Sequence, residues 1–152
     1  MTKMPKLFRP LAALVLSICL VSACGASDPW VEVGGKRYTV EIADTPALQA
    51  RGLMFREELA DDHGMLFIWR RAAPRAFWMR NTRIPLDILY LGSDRRIVGW
   101  SLNTPPCRTQ RCPSYPSGAP AQYVLEVNAG EMERLGVQLG DQTRFGNLPN
   151  FE

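Results

Sequence analysis

Residues 30–43 read Trp-Val-Glu-Val-Gly-Gly-Lys-Arg-Tyr-Thr-Val-Glu-Ile-Ala, which is the pattern of a β-hairpin. A Gly-Gly pair separates two segments of β-forming residues, as a two-residue turn requires. In the second segment Tyr38, Val40 and Ile42 alternate with polar residues. Since successive side chains of a strand point to opposite faces, one face of this strand is expected to be buried and the other to be wet.

Further strands are predicted along the rest of the chain, at 65–69, 76–79, 86–91, 97–102, 123–127 and 142–145. Thr45-Pro46 has the pattern of a helix start and predicts one short helix over 46–54, and 131–135 could form a further helical turn. The proline-rich stretch 103–120 is predicted to be an ordered loop. The expected fold is α+β and predominantly β: a compact small barrel or folded sheet of about seven strands with one short helix.

The first 23 residues have the pattern of a bacterial export signal. Three basic residues and no acid precede an apolar run at 11–21, and Val21-Ser22-Ala23-Cys24 places small residues before a cysteine. These four residues resemble the lipobox of bacterial lipoproteins, in which the cysteine is lipidated and becomes the first residue of the mature chain. The interpretation is a signal peptide at 1–23, a lipidated tether at 24–29 and a single β-rich domain at 30–152. The alternative is an ordinary secretory signal that ends near a cysteine.

Lipidation at Cys24 predicts an exported protein, anchored to the membrane of the cell envelope by its acyl chains. Gly25 stands where an aspartate commonly retains such proteins at the inner membrane, so an outer-membrane anchor facing the periplasm is expected. The leader holds three of the 18 basic residues and none of the 15 acidic ones, which leaves 15 of each in the mature chain. The basic character of the precursor thus comes from its leader and does not indicate nucleic-acid binding, and no nucleic-acid partner is expected.

Cys107 and Cys112 are the cysteines that remain in the domain. An even pair in an oxidising compartment favours a structural disulfide. A redox-active pair is the alternative. A metal site is disfavoured, because two thiols without a nearby histidine do not supply four ligands. No metal and no cofactor are expected.

Residues 77–88, Phe-Trp-Met-Arg-Asn-Thr-Arg-Ile-Pro-Leu-Asp-Ile, hold the densest set of candidate functional side chains. Trp78 and Asn81 could line a ligand pocket suited to a sugar or a peptide, or Asn81 could close a turn while Trp78 fills the core. The five arginines between 70 and 83 come without an acid. They could bind an anionic polymer or lipid head groups, or form solvated strand faces.

Two acids lie in predicted strands among apolar residues, Asp87 and Glu126. Each is expected to be at least half buried and to need a partner. They could form a general acid/base pair, or two structural ion pairs with arginines. A Ser-His-Asp triad is disfavoured because His63 is the only histidine and no serine nucleophile is evident.

Several segments together resemble the family catalogued as domain of unknown function 192. They include Arg51-Gly52-Leu53-Met54-Phe55-Arg56, the string at 77–88, and Cys112-Pro113-Ser114-Tyr115. The resemblance covers nearly all of residues 30–146 and implies a compact β-rich α+β domain, often exported, without implying a reaction. The family's motif positions correspond here to Arg51, Arg56, Trp78, Asn81, Thr82, Asp87, Tyr115, Ser117 and Glu126.

The leading hypothesis is therefore a non-catalytic, membrane-anchored envelope protein that binds a glycan, a peptide or a protein partner. Its candidate ligand-binding residues are Arg56, Trp78, Asn81, Asp87, Tyr115, Ser117 and Glu126. The site is expected around Trp78, Asn81 and Asp87, with Arg56 nearby and with the Cys107–Cys112 loop forming a rim through Tyr115 and Ser117. The alternative is an envelope hydrolase of cell-wall material that uses Asp87 and Glu126.

Overall fold

The computed structural model describes residues 27–149, which form seven strands and two short helices. The strands are β1 (Trp30–Val33), β2 (Lys36–Ala43), β3 (His63–Trp78), β4 (Leu86–Leu91), β5 (Ile97–Thr104), β6 (Ser114–Asn128) and β7 (Arg144–Gly146). The helices are α1 (Pro46–Arg51) and α2 (Glu131–Arg134). The predominantly β, α+β fold is confirmed, with two short helices where one was expected. The predicted leader and its cysteine lie outside the described residues.

All strands belong to one mixed sheet in the order β5-β4-β6-β3-β2-β1-β7. Every pairing is antiparallel except that of β2 with β3, which is parallel. Parallel neighbours need a crossover, and α1 with residues 52–62 supplies it. The sheet is not a closed barrel, because β5 and β7 do not pair as neighbours and a single bridge, Arg96–Gln142, joins the segments that precede them.

The helix α1 begins as the sequence predicts and ends earlier. The Thr45 hydroxyl accepts a hydrogen bond from the Leu48 amide at 3.3 Å, and Pro46 occupies the first turn. The predicted helix over 46–54 stops at Arg51 because Gly52 has a φ of 47°. Within residues 27–149, neither helix has the length and apolar character needed to cross a membrane.

Two sequence predictions fail in the long β3–β6 pair. The segments 65–69 and 76–79, predicted as separate strands, belong to one strand whose register shifts between Ile68 and Ala73 and again before Ala76. The predicted loop 103–120 is strand from Ser114 onward. Its prolines are tolerated because β4 pairs only with residues 123–128 of β6, so the first half of β6 has β3 alone as its ladder partner.

Apolar clusters cover both faces of the sheet. The first core cluster lies next to α2 and comprises Val31, Val33, Tyr38, Val40, Leu66, Ile68, Leu89, Leu91, Ile97, Leu125, Val127, Met132 and Val137. The second core cluster lies on the opposite face and comprises Ala43, Leu53, Met65, Phe67, Met79, Ile84, Leu86, Ile88, Tyr90, Ala121 and Val124. Residues 53–59 and 79–84 thus lie over the second cluster, and they also form the surface described next.

Candidate functional site

Three chain segments meet at a surface cleft of about 370 Å³. Its lining residues are Phe55, Glu57, Asn81, Thr82, Arg83, Cys107 and Arg108. The volume is at the lower end of the range of about 300–1,000 Å³ that is usual for ligand pockets. The cleft therefore has room for a small ligand or for one end of a larger one.

The wall of the cleft is built from two residues in the left-handed backbone region, Phe55 with a φ of 65° and Asn81 with a φ of 57°. The Phe55 amide donates a hydrogen bond to the Asn81 carbonyl at 2.8 Å, which locks the two loops together. Asparagine tolerates this conformation, whereas a phenylalanine there stores about 1–3 kcal/mol of strain. The phenylalanine ring remains 54 % exposed. The fold thus holds an apolar ring at the surface at an energetic cost.

Positive charge predominates around the cleft. Arg83 and Arg108 line it together with one acid, Glu57, which forms an ion pair with Arg83. The Arg83 guanidinium lies 5.9 Å from the centroid of the Phe55 ring. No ion pair in the described part of the chain involves Arg108. The surface can therefore offer guanidinium donors and an apolar face to the same ligand.

The cysteine pair is joined, and the predicted disulfide is present. Cys107 and Cys112 have a Cα–Cα distance of 5.7 Å. A closed loop of this length stabilises the fold by about 2 kcal/mol in the chain-entropy description. The Cys107 backbone amide donates a hydrogen bond to the Met79 carbonyl. The backbone of Arg80 is paired with that of Cys107 in an isolated parallel β-bridge. The disulfide loop is thereby attached to the segment that carries Asn81. Cys107 and Arg108 of this loop line the cleft, whereas Tyr115 and Ser117, the expected rim residues, do not.

Trp78 ends β3 three residues before Asn81 and is 48 % exposed, so it does not fill the core. The Arg80 guanidinium lies 5.6 Å from the centroid of its ring. The Asn81 amide makes a long contact of 3.9 Å with the sulfur of Met54, while its backbone forms the turn. Asn81 was expected either to close a turn or to line a ligand pocket. Its position is compatible with both roles, because it shapes the turn and also lines the cleft.

Asp87 has a structural position in β4. Its side chain is fully buried, and its two oxygens accept hydrogen bonds from the backbone amides of Asn103 at 2.8 Å and Met132 at 3.0 Å. One oxygen thus holds the end of β5 and the other satisfies the first turn of α2. The expected burial is confirmed. The partners are backbone amides, so the predicted ion pair with an arginine is wrong for this residue.

Glu126 lies in β6 between Met65 of β3 and Ile88 of β4 and is 4 % exposed. Its Oε2 atom is buried and has no hydrogen-bond partner among residues 27–149. A Cβ added to Gly52 would lie 3.7 Å from this oxygen, so the backbone after α1 covers it closely. Burial raises the pKa of this carboxyl to about 8, which keeps it mostly protonated at neutral pH. Again the acid is buried as expected, and the predicted arginine partner is not found among the described residues.

The two acids do not share a site. Asp87 is paired directly with Val127, and Glu126 with Ile88. Paired residues point to the same face and neighbours along a strand to opposite faces, so Asp87 faces the first core cluster and Glu126 the second. Asp87 and Glu126 therefore cannot act together as a general acid/base pair, since the sheet separates their carboxyl groups.

The remaining candidates lie outside the cleft lining. The Arg56 guanidinium contacts both carboxylate oxygens of Glu41 at 2.6 Å. The Tyr115 carbonyl accepts a hydrogen bond from the phenol of Tyr90, whose pKa is raised by burial. The Ser117 hydroxyl accepts from the Arg75 amide at 3.0 Å and donates to the Ala119 carbonyl at 2.6 Å, within the irregular part of β6.

Sequence reasoning did not single out Phe55, Glu57 or Arg108, and it treated Arg83 only as one of five arginines. The available signal was the run of cations between 70 and 83 without an acid. Nothing in the sequence indicated that residues 55–57, which belong to the crossover after α1, would lie beside this segment. Among residues 27–149 no group of three potential metal ligands comes together.

The comparisons with known proteins identify the family. The chain matches DUF192, described as "Uncharacterized ACR", over residues 30–145. The protein belongs to the DUF192 family. A crystal structure of a protein of unknown function from Novosphingobium aromaticivorans is 41 % identical, with a TM-score of 0.69 over 76 % of this chain and 82 % of that one. No curated protein is significantly similar to the chain.

A second solved structure that is similar to this chain comes from Sinorhizobium meliloti and is described as that of a proposed transcription regulator. It is 37 % identical, with a TM-score of 0.70 over 79 % of this chain and 93 % of that one. Both similarities are high enough in identity and coverage to support the fold and the family. Neither description assigns a substrate or ligand to this DUF192 protein.

Proposed function

We propose that this DUF192 protein is an exported, lipid-anchored envelope protein whose β-rich domain binds a ligand or partner in the cleft around Asn81, without catalysing a reaction. The observation that carries the proposal is the cleft itself, where an exposed phenylalanine is held in a strained backbone conformation beside two arginines. Backbone strain of this kind is often found at functional surfaces.

The leader pattern and the disulfide support the proposed export to the cell envelope. A disulfide persists in oxidising compartments, and export is what Val21-Ser22-Ala23-Cys24 predicts. A DNA-binding role, which the description of the Sinorhizobium structure would suggest, is not proposed because residues 24–152 hold equal numbers of basic and acidic residues. The hydrolase that would use Asp87 and Glu126 together is not proposed either, since the sheet separates them.

The anchor is tested by metabolic labelling with a fatty acid in the native host. We expect the label on the wild-type protein, cleavage before Cys24, and co-sedimentation of the mature chain with outer membranes. Cys24→Ser is expected to lose the label and remain unprocessed or soluble. Normal export of an unlabelled wild-type protein would disprove the anchor.

Binding at the cleft is tested by photo-cross-linking of the full-length protein in cells. A photoreactive phenylalanine analogue replaces Phe55, which is 54 % exposed, or Leu139, which is 57 % exposed and lies outside the cleft lining. We expect discrete cross-linked species from position 55 and none of them from position 139. A ligand that contacts the apolar wall must lie within reach of the first probe only.

The matched control is Asn81→Gly in the protein labelled at position 55. Glycine adopts a φ of 57° without strain, so the turn is preserved while the side chain in the cleft is removed. We expect the cross-linked species to weaken. Equal cross-linking from positions 55 and 139, or none from either, would contradict a binding role for this cleft.

A further inference from the structure

We propose that the cleft recognises a free carboxylate carried next to an apolar side chain, the chemistry of a peptide C-terminus that ends in an apolar residue. This inference rests on the proposed function and names the ligand class for the same cleft. Four properties of the surface lead to it: its excess of arginine, an internal carboxylate already in place, an adjacent exposed ring, and its size.

The charge of the lining selects an anion. Two of its seven residues are arginines, Arg83 and Arg108, and one is an acid, Glu57. A planar guanidinium presents several N–H donors in a fork that matches the two oxygens of a carboxylate.

Glu57 indicates where the ligand's carboxylate would lie. It forms an ion pair with Arg83 across the cleft, while its own side chain is 70 % exposed and that of Arg83 is 52 % exposed. An ion pair this open to water contributes at most about 1 kcal/mol. An incoming carboxylate can therefore displace Glu57 from Arg83 at little expense, and the freed Glu57 side chain turns toward solvent.

The apolar part of the ligand is set by Phe55. Its exposed ring lies 5.9 Å from the Arg83 guanidinium, measured to the ring centroid. When a C-terminal carboxylate binds to Arg83, the side chain on the adjacent Cα atom lies within reach of the Phe55 ring. Ring–ring contacts of this kind contribute about 0.5–1.5 kcal/mol beyond area burial, so an aromatic terminal residue is favoured.

The size of the cleft favours a chain end over an extended segment. A volume of about 370 Å³ accommodates one terminal residue and its carboxylate. The disulfide loop on one side and the locked Phe55–Asn81 turn on the other restrict the walls, so little entropy is lost on binding.

The probe is N-acetyl-phenylalanine, titrated into the purified, detergent-solubilised full mature protein and followed by calorimetry or by NMR shifts. Its amide, N-acetyl-phenylalaninamide, lacks only the carboxylate, and acetate lacks only the apolar part. We expect the acid to bind at least about tenfold more tightly than either analogue, which corresponds to the loss of one charge-assisted contact or one buried ring.

Variants give effects of opposite sign. Arg83→Gln is expected to weaken binding of the acid about tenfold, and Glu57→Gln to strengthen it severalfold, because the competing internal carboxylate is removed. Arg134→Gln is the matched control: Arg134 is likewise exposed and ion-paired, to Glu131, and it lies on α2. The affinity of the Arg134→Gln variant for N-acetyl-phenylalanine is expected to equal that of the wild type.

Equal affinities for the acid and the amide, or weaker binding after Glu57→Gln, would overturn the carboxylate inference. If the probe fails to bind while cross-links form from position 55, the ligand class is wrong and the proposed binding role stands. If the cross-links are absent as well, the proposed function itself is wrong.

Discussion

Glu126→Gln is expected to remove most of the pH dependence of stability between pH 5 and pH 9. In the wild type the buried carboxyl has a pKa of about 8, against 4.5 for an exposed one. A raised pKa means that the folded state holds a proton that the unfolded state has released, so stability declines as pH rises from about 4.5 and levels off above about 8. We expect a decline on the order of 4 kcal/mol between pH 5 and pH 9.

The glutamine variant isolates this effect from the cost of burying a polar group. Its side chain is neutral at every pH, so its free energy of unfolding should stay nearly constant while that of the wild type declines toward pH 9. The titratable group next to Glu126 is Tyr90 of β4, whose own pKa is raised by burial and further by the Glu126 charge, so Tyr90 stays neutral throughout. Urea unfolding at each pH measures the free energies.

The control is Glu133→Gln, which changes an exposed acid of α2 and should leave the pH profile unchanged. The lowered pKa values of Glu32, Asp62 and Glu131 place the effects of these three acids below pH 4.5, outside this window. A wild-type protein whose stability is flat from pH 5 to pH 9 would show that the Glu126 carboxyl is not kept neutral by burial.

Asp87→Ala is expected to lower the free energy of unfolding by about 3 kcal/mol or more at pH 7. The change leaves the amides of Asn103 and Met132 without acceptors, and an unsatisfied buried donor costs about 1–3 kcal/mol. Asp87→Asn should cost about 2 kcal/mol, since its amide oxygen can accept from one of the two donors while its NH₂ group faces the other.

Chemical unfolding with Asp61→Ala as control separates this from a general surface effect. Asp61 is exposed in the loop before β3, and its replacement should change the free energy of unfolding by no more than about 0.5 kcal/mol. An Asp87→Ala protein within 1 kcal/mol of the wild type would contradict the structural role. Cross-linking from position 55 should persist in the folded fraction, because Asp87 lies on the other face of the sheet.

Local signals made the first hairpin and the start of α1 predictable from the sequence. The Gly-Gly turn between β1 and β2 and the Thr45-Pro46 start of α1 each depend on residues adjacent in the chain. The long β3–β6 pair was not predicted, because its strands contain Pro74, Pro116 and Pro120. Proline lacks a backbone N–H and interrupts a strand unless that position faces away from a neighbouring strand. That condition depends on which strands are neighbours, and the sequence does not state it.

The candidate site was predicted in part for the same reason. Asn81 and the Cys107 loop were expected together, and they do meet in one cleft. Phe55 arrives there from the crossover, through a hydrogen bond between loops 26 residues apart. Alternation along the strands correctly buried Asp87 and Glu126, but only strand register shows that they face opposite sides.

The pairing of the first strand with the last has a consequence for biogenesis. β1 pairs with β2 on one side and with β7 on the other, so Trp30 is paired with both Thr39 and Gly146. Until the final residues emerge, β1 presents an unpaired edge, which is a template for association with other chains. A protein threaded across a membrane from its amino end would remain in that vulnerable form until translocation finishes. Completion of the sheet is thus timed by the carboxyl end of the chain, and early truncation should favour aggregation over folding.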